Sequence, residues 1–559
     1  MGYACFYLAV VAACLLWSAA FTAAAAKADR GWRWLLVAVA ILVPGVIILP
    51  ALLMTGLFAF GPLPMITNWF GPTLTAFLAA LIGGSWIAWA GLSRSHDRPL
   101  PYSSEPVPLA AHWPLVGLAA MSALAAAVAF GTLLVLDNAV AAQAPYLRLE
   151  AASLIQASLP PAVPDSQNAA PLYEQACGVL RADPAAAKGS ESLLQASETI
   201  DPFSPAATEL LARHAVTLEL LRRAADRDTC RFQKDWTRPS IDMAFPELQA
   251  LVFAARLLSL EARREATDGN TADALRDVVR LHRIGRHAGS GPFLISALIG
   301  YVIDRTALDT LTQVLPTLRK SDLAALDTPE IRDLVMAPPA LTMHLRGEEA
   351  TLLTLFADLL GEDFDVADYV RVMVSPKPLP VIYREPMLGL TRLFRSFFLP
   401  ADIAGCRAIM QKYQGMAGKA EPYQAKLETE AVEAELRTRS PGMHTSLLVP
   451  ATGDAFRWQA DTLSLRRAAA VLLAATRQRL ETGTAPATIV ELTVKPAPPT
   501  TDDPFAAGQP LRMKQAENLL LVYSVGPDGE DDGGPVAPHA DAGPDTVEGN
   551  DDIGLRMAL

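Results

Sequence analysis

The residues whose types and spacing suggest chemistry lie close to the C-terminus, in a glycine-rich acidic loop. The apolar run Leu519–Ser524 has the composition of a β-strand, and a Gly-Pro-Asp-Gly turn that begins at Gly526 follows it at once. Asp528, Asp531 and Asp532 are crowded into the residues after the strand. Closely spaced carboxylates repel one another unless a hard cation lies between them, and Ca²⁺ is the usual choice. The pattern therefore indicates either a solvated acidic loop or a calcium site.

A second group of polar side chains lies on a predicted helix at 271–288. Two histidines in it are five residues apart, which is about 140° around a helix, so they cannot chelate one metal from a single face. A solvated basic face, or a partner for acidic residues nearby, is the favoured interpretation over a catalytic pair. No GxSxG, HExxH, Walker A or GxGxxG sequence is present, so no enzyme class is indicated. The members of this group are Arg280, His282, Arg283, Arg286 and His287.

Composition and charge limit the classes of protein to consider. A chain of 559 residues suggests two to four domains, and its 51% hydrophobic content, with a mean hydropathy of +0.24, indicates that part of it lies in lipid. The net charge of −12 argues against nucleic acid as a partner. Residues 502–552 hold twelve Asp or Glu against Arg512 and Lys514, a net charge of −10. The acidity therefore belongs to the C-terminal region.

The first quarter of the chain predicts a membrane protein. Four apolar stretches at 4–26, 34–60, 69–92 and 113–136 are each long enough for a bilayer, which needs about 20 residues. Basic residues follow the first and third stretches, and the positive-inside rule then puts both termini outside the cytoplasm. We expect a multi-pass protein of the bacterial inner membrane, in contact with the lipid bilayer, whose large C-terminal region is extracytoplasmic. The basic residues are Lys27, Arg30, Arg33, Arg94 and Arg98.

The expected fold class is membrane α-helical, with a mainly α extracytoplasmic bundle or hairpin domain and a small C-terminal α+β module. The predicted domains are a four-helix transmembrane region at 1–137, a membrane-proximal linker with a helix at 138–203, an α-helical domain at 204–454 and the C-terminal module at 455–559. In the helical domain, Ser204 is predicted to cap a helix that runs to about Asp226, and helices at 246–268 and 271–288 flank Asp268-Gly-Asn270 as an αα-hairpin. The module begins with a long helix at 456–481, and Leu519–Ser524 is expected to pair with an earlier short strand.

The order of elements in the C-terminal module resembles a known family. A helix, an Asp503-Pro-Phe505 element, a small antiparallel sheet and a loop with Ser524-Val-Gly526 and Gly533-Gly534 are similar to the C-terminal part of the major, G-type pseudopilins of type II secretion. The similarity covers about 465–553. It implies a bound Ca²⁺, with carboxylates from Asp528 and Asp552 and the backbone carbonyl of Val525. Asp531 and Asp532 are further candidate ligands by proximity alone.

The module also departs from that family. Ala485 replaces the tyrosine of the family's turn, and the chain lacks a prepilin leader, so we do not expect a filament subunit. The expected function is that of a structural or protein-interaction component of the cell envelope, with a protein partner on its helical domain and a calcium-stabilised tail. Alternatives are an extracytoplasmic hydrolase or envelope-maturation factor, and a transporter-associated subunit. Cys177 and Cys230 are either a disulfide or, as favoured, free buried thiols.

Overall fold

The structure is a computed structural model, and it describes most of the chain beyond residue 133. The described residues are 134–182, 201–237, 239, 243, 245–361, 395, 396, 398–419, 421–438, 445, 450–493, 501–535 and 551–559.

The fold class expected from the sequence was wrong in its membrane part. Within these described ranges, no helix combines the length and the apolar character that crossing a bilayer requires. The four predicted spans at 4–26, 34–60, 69–92 and 113–136 lie outside the described residues, except for the last three positions of the fourth. The predicted four-span, multi-pass fold class is therefore replaced by that of a mostly helical chain with one small sheet.

The described residues include twelve α-helices and three β-strands with defined bounds. The helices are α1 Ala144–Ser158, α2 Ala170–Ala182, α3 Pro205–Arg213, α4 Ala215–Ala225, α5 Pro246–Thr267, α6 Thr271–Ala288, α7 Leu294–Val314, α8 Pro329–Leu334, α9 Thr342–Leu359, α10 Leu399–Met416, α11 Pro422–Thr438 and α12 Pro450–Thr482. The strands are β1 Arg512–Ala516, β2 Leu519–Ser524 and β3 Ile553–Ala558. Short 3₁₀ turns occupy Leu315–Thr317, Lys320–Asp327 and Ile489–Glu491.

The chain divides into two compact units. One takes in 1–145, 356–403 and 436–443, and the other takes in 146–355, 404–435 and 444–559. In the first unit, Arg395 is buried and makes two hydrogen bonds of 3.0 and 2.8 Å to the carboxylate of Asp137. Its Nη1 also donates to the carbonyl of Gly361 at 2.9 Å. This guanidinium therefore joins the helical segment at 134–141 to Gly361.

The second unit is built around the predicted helical hairpin, which the structure confirms. Helices α5 and α6 meet at a turn in which Gly269 has a φ of +86°, a conformation that favours glycine. The hydroxyl of Ser204 accepts a hydrogen bond from the N–H of Ala207 and caps α3, as predicted. The helix predicted to run from there to about Asp226 is wrong, because it breaks at His214 into α3 and α4.

Helices α6 and α7 cross at three glycines. A Cβ added to Gly300 would lie 2.8 Å from the carbonyl oxygen of Gly285 and 3.0 Å from the Cα of Gly289. The missing side chains let the two backbones touch, and the crossing brings the polar residues of α6 against those of α7.

The sheet is antiparallel with the order β1-β2-β3. The predicted pairing of Leu519–Ser524 with an earlier short strand is confirmed, with Lys514 opposite Leu521. The sequence did not predict β3, which pairs with β2 so that Leu555 lies opposite Val522 and Gly554 opposite Tyr523.

One hydrophobic core joins this sheet to the helices. Leu520 and Val522 of β2 belong to the same buried cluster as Leu472 of α12, Val278 of α6 and Leu311 of α7. The sheet therefore packs directly on both α12 and α7 and shares their core. The prediction of free thiols is confirmed, since Cys177 and Cys230 are buried and unpaired with each other.

The glycine crossing yields a test with a built-in control. Gly300→Ala should lower the melting temperature, because overpacking a close helix contact costs about 1–3 kcal/mol, more than the about 1 kcal/mol that alanine gains over glycine in a helix. Gly178, on the exposed face of α2, has nothing within 4 Å of an added Cβ. Gly178→Ala should therefore raise the melting temperature, and two shifts of the same sign would contradict the crossing.

Candidate functional site

The acidic loop begins where β2 ends, and a glycine brings its two ends together. Gly526 has a φ of +69°, and a Cβ at this position would overlap the carbonyl oxygen of Asp551. Only glycine fits this position without displacing the backbone of Asp551. The start of the loop and Asp552 therefore lie side by side, although 26 residues separate them in the sequence.

The buried carboxylate of Asp503 fixes the corner between β2 and the loop. It accepts hydrogen bonds from the hydroxyl of Ser524 at 2.5 Å and from the N–H of Val525 at 3.0 Å. It also accepts the N–H of Phe505 at 2.9 Å, so the Asp-Pro-Phe element and the first loop residues form one hydrogen-bonded corner. Sequence reasoning singled out this element but assigned Asp503 no role.

The four predicted aspartate ligands each accept a backbone hydrogen bond within the loop region. Asp528 accepts from Glu530, Asp531 from Gly533, Asp532 from Asp551 and Asp552 from Gly534, at distances between 2.6 and 3.1 Å. Asp531 also accepts the hydroxyl of Tyr523 at 3.0 Å. Val525 lies at the start of the loop.

The electrostatics show that these carboxylates act on one another. The pKa of Asp552 is raised to about 6, by burial first and then by the negative charges of Asp531, Asp532 and Asp528. Among the residues that the structure describes, no group of three or more His, Cys, Asp or Glu side chains is arranged to hold a metal ion. The loop therefore gathers negative charge without presenting a preformed coordination sphere.

A second cluster of charged residues is buried between helices. His282 on α6 and Asp304 on α7 face each other, with 2.6 Å between Nδ1 and Oδ1. The other oxygen of Asp304 accepts a hydrogen bond from Nε of Arg466 on α12 at 2.8 Å. All three side chains are at least nine-tenths buried. One carboxylate thus joins three helices.

Two carboxylates favour the charged form of His282. Burial lowers its pKa, but Asp304 and Asp333 together outweigh burial and raise the pKa above its ordinary value. Burial also opposes ionisation of Asp304, and Arg466 and His282 nevertheless bring the pKa of that carboxyl below its ordinary range. The three groups therefore form a buried ion cluster, which is expensive to break from one side.

The basic residues on α6 have acidic partners, as the favoured interpretation predicted. Arg280 bonds to Asp226 and Asp277, and Arg286 pairs with Asp333. The two histidines have different environments. Nδ1 of His287 and the hydroxyl of Tyr173 form a hydrogen bond of 2.8 Å. Burial lowers the pKa of His287 to about 4. Burial therefore favours the neutral form of His287, whereas the two carboxylates favour the charged form of His282.

The charged cluster is separate from the cavity that the structure describes beside Trp236. That cavity has a volume of about 20 Å³, which is enough space for one water molecule. Its lining includes Phe232, Phe245 and Leu248 but not His282 or Asp304. The His282–Asp304 pair has the composition of a catalytic dyad, but in this part of the structure it links two helices.

Neutralising Asp304 tests this linking role. Asp304→Asn should lower the unfolding free energy by about 3–5 kcal/mol, because it leaves His282 and Arg466 buried without their common counter-ion. Asp309 lies on the same helix and forms an exposed pair with Arg305 at 3.8 Å. Asp309→Asn should change stability by no more than about 0.5 kcal/mol. Equal losses in the two variants, measured by thermal unfolding, would refute the linking role of Asp304.

Comparison with known proteins does not extend this picture. No protein family, no curated protein and no solved structure matches this chain. The resemblance of residues 465–553 to G-type pseudopilins stays a prediction, and so do the calcium ligands that it implies.

Proposed function

We propose that this chain is a structural, protein-interacting protein whose C-terminal acidic loop takes up a calcium ion. In this proposal Asp528, Asp531, Asp532 and Asp552 supply carboxylates and Val525 supplies its backbone carbonyl. The ion draws the carboxylates together and ties the loop to the end of the sheet.

The observation that carries the proposal is the gathering of Asp528, Asp531, Asp532 and Asp552 where the two ends of the loop meet, each bound to backbone N–H groups of the loop region. Burial, and then the negative charges of the other three aspartates, raise the pKa of Asp552 to about 6. At such a site the fold favours the protonated carboxyl over the carboxylate. A bound divalent cation reduces the repulsion among the neighbouring carboxylates in the same way as that proton.

The basic residues near the loop neutralise only part of its charge. Lys514 donates to the carbonyl of Gly533, and Nε of Arg512 lies 3.6 Å from Asp531. The described part of the loop region has six acidic residues for these two cations: Asp528, Glu530, Asp531, Asp532, Asp551 and Asp552. The excess negative charge is the driving force for uptake of a hard cation.

The partner in this proposal is a protein that contacts the helical part of the second unit. Its support is an exposed apolar pair on α1, where Tyr146 and Leu149 lie one turn apart and are 71% and 69% exposed. The charged side chains of α6, in contrast, are engaged with neighbouring helices.

A calcium titration of the full chain tests the loop. Calcium at ten times its dissociation constant should stabilise the fold by roughly 1.4 kcal/mol and raise the melting temperature by a few degrees. Asp532→Asn and Asp552→Asn should remove this rise. Glu530→Gln removes the same charge from the same loop without removing a proposed ligand, so it should keep most of the rise. No rise in the parent chain, or an equal rise in all variants, would end the proposal.

The pH dependence of the calcium effect is a separate test. Because the folded-state pKa of Asp552 is raised to about 6, the stability linked to its proton is present below its ordinary pKa of about 3.9 and is lost as pH rises through about 6. Calcium should replace that proton. The rise in melting temperature should therefore be full at pH 7.5 and clearly smaller at pH 5, and a rise independent of pH would show that Asp552 is not a ligand.

A further inference from the structure

The short helix α8 is attached to the rest of the second unit in two ways. Its apolar residues Ile331 and Leu334 are buried in the core that the sheet and α12 share. Its acidic residues face α6, where Asp333 pairs with Arg286 and Glu330 lies 3.9 Å from Arg283. Asp333 also lies 3.6 Å from Nε2 of His282.

The two sides of the His282 ring are unequal. Nδ1 is 2.6 Å from Asp304, which is fully buried and is also bound to Arg466. Nε2 is 3.6 Å from Asp333, whose side chain is 46% exposed. This second contact has the length of an ion pair but not of a hydrogen bond, so it depends on the charge of the ring.

We propose that His282 is a pH-dependent clip for α8, in which the protonated ring bridges Asp304 of α7 and Asp333 of α8. When the ring loses one proton, the remaining proton stays on Nδ1, because the buried Asp304 would otherwise lose a donor. The lone pair of Nε2 then faces the carboxylate of Asp333. Deprotonation therefore weakens the attachment of α8 and leaves the α6–α7 contact in place.

The other charged and titratable groups around the ring do not replace this bridge. Arg466 of α12 is committed to Asp304 and to the carbonyl of Met336, and Tyr301 of α7 stays neutral because burial raises its pKa. On α6 itself, Arg286 still pairs with Asp333 after deprotonation, but this pair is half exposed and contributes little. The raised pKa of His282 places the transition above its ordinary value of about 6.5.

The sign of the effect follows from that direction. A histidine with a raised pKa in the folded state contributes stability that is complete below about 6.5 and is lost as pH rises through the folded-state value. The clip is therefore closed at lower pH and opens at higher pH. Opening exposes the apolar face of α8 at Ile331 and Leu334 by a local transition that leaves the rest of the unit folded.

Amide hydrogen exchange of the full chain, read by mass spectrometry on the segment that contains α8, tests the clip. After correction for the intrinsic effect of pH on exchange, protection of the α8 amides should fall on the order of tenfold between pH 6 and pH 9, the effect of one charge-assisted contact. Protection of α2, where burial raises the pKa of Tyr173 and that of Cys177 above this range, should not change.

Two variants separate the clip from a general loss of stability. Asp333→Asn removes the α8 end of the bridge, so protection of α8 should be low and should no longer depend on pH. Arg286→Gln removes the pH-independent partner of Asp333 and leaves His282, so the dependence on pH should persist. A constant protection in the parent chain, or a dependence on pH that survives in Asp333→Asn, would overturn the proposal.

Discussion

The second unit of this chain depends on one buried carboxylate. Asp304 accepts Nε–H of Arg466 from α12 with one oxygen and faces Nδ1 of His282 on α6 with the other, while its own helix α7 lies between them. Ion pairs in a dry interior give little net stability compared with apolar packing, but they are strongly directional and costly to break from one side. The position of α12 relative to the α6–α7 pair is fixed by this cluster together with the core beneath it.

That constraint reaches the acidic loop through the sheet. Strands β2 and β3 bury Leu520, Val522 and Leu555 in the core that contains α12. The helices therefore determine the position of the corner that Asp503 forms at the end of β2. The loop is thus an extension of the helical unit, and the hydroxyl of Tyr423 on α11 also donates to the carbonyl of Pro527 within it at 2.8 Å. A mutation in the buried ion cluster is therefore expected to act on the loop as well, through a shift of α12 and the strands that pack on it.

Local patterns in the sequence were sufficient for the helical hairpin, the cap at Ser204, the long helix and the β1–β2 pair. These elements are encoded by neighbouring residues, such as Asp268-Gly-Asn270 and the apolar run from Leu519. The break at His214 and the strand β3 were missed. Burial of His214 and the pairing of Ile553–Ala558 with β2 depend on distant residues, which a local pattern does not contain.

The same limit explains what sequence reasoning gave for the candidate site. It identified the acidic residues of the loop. It also predicted that the basic residues of α6 pair with acidic residues, without naming those residues. It could not identify Asp304 or Asp333 as the partners of His282, since they are 22 and 51 positions away and on other helices. The four membrane spans were inferred from the length and hydropathy of four apolar stretches. Hydropathy alone does not distinguish a stretch that lies in lipid from one in another environment. Among the described helices none has the required properties.

The buried thiols have a consequence for the conditions under which this fold persists. Burial raises the pKa of Cys177 to about 12 and raises that of Cys230 as well, so neither forms appreciable thiolate at neutral pH. Thiolate is the species that oxidants and alkylating reagents attack, and both sulfur atoms are shielded from solvent. The second unit therefore holds these two residues in place without a cross-link between them, and their thiols are protected from oxidants and alkylating reagents.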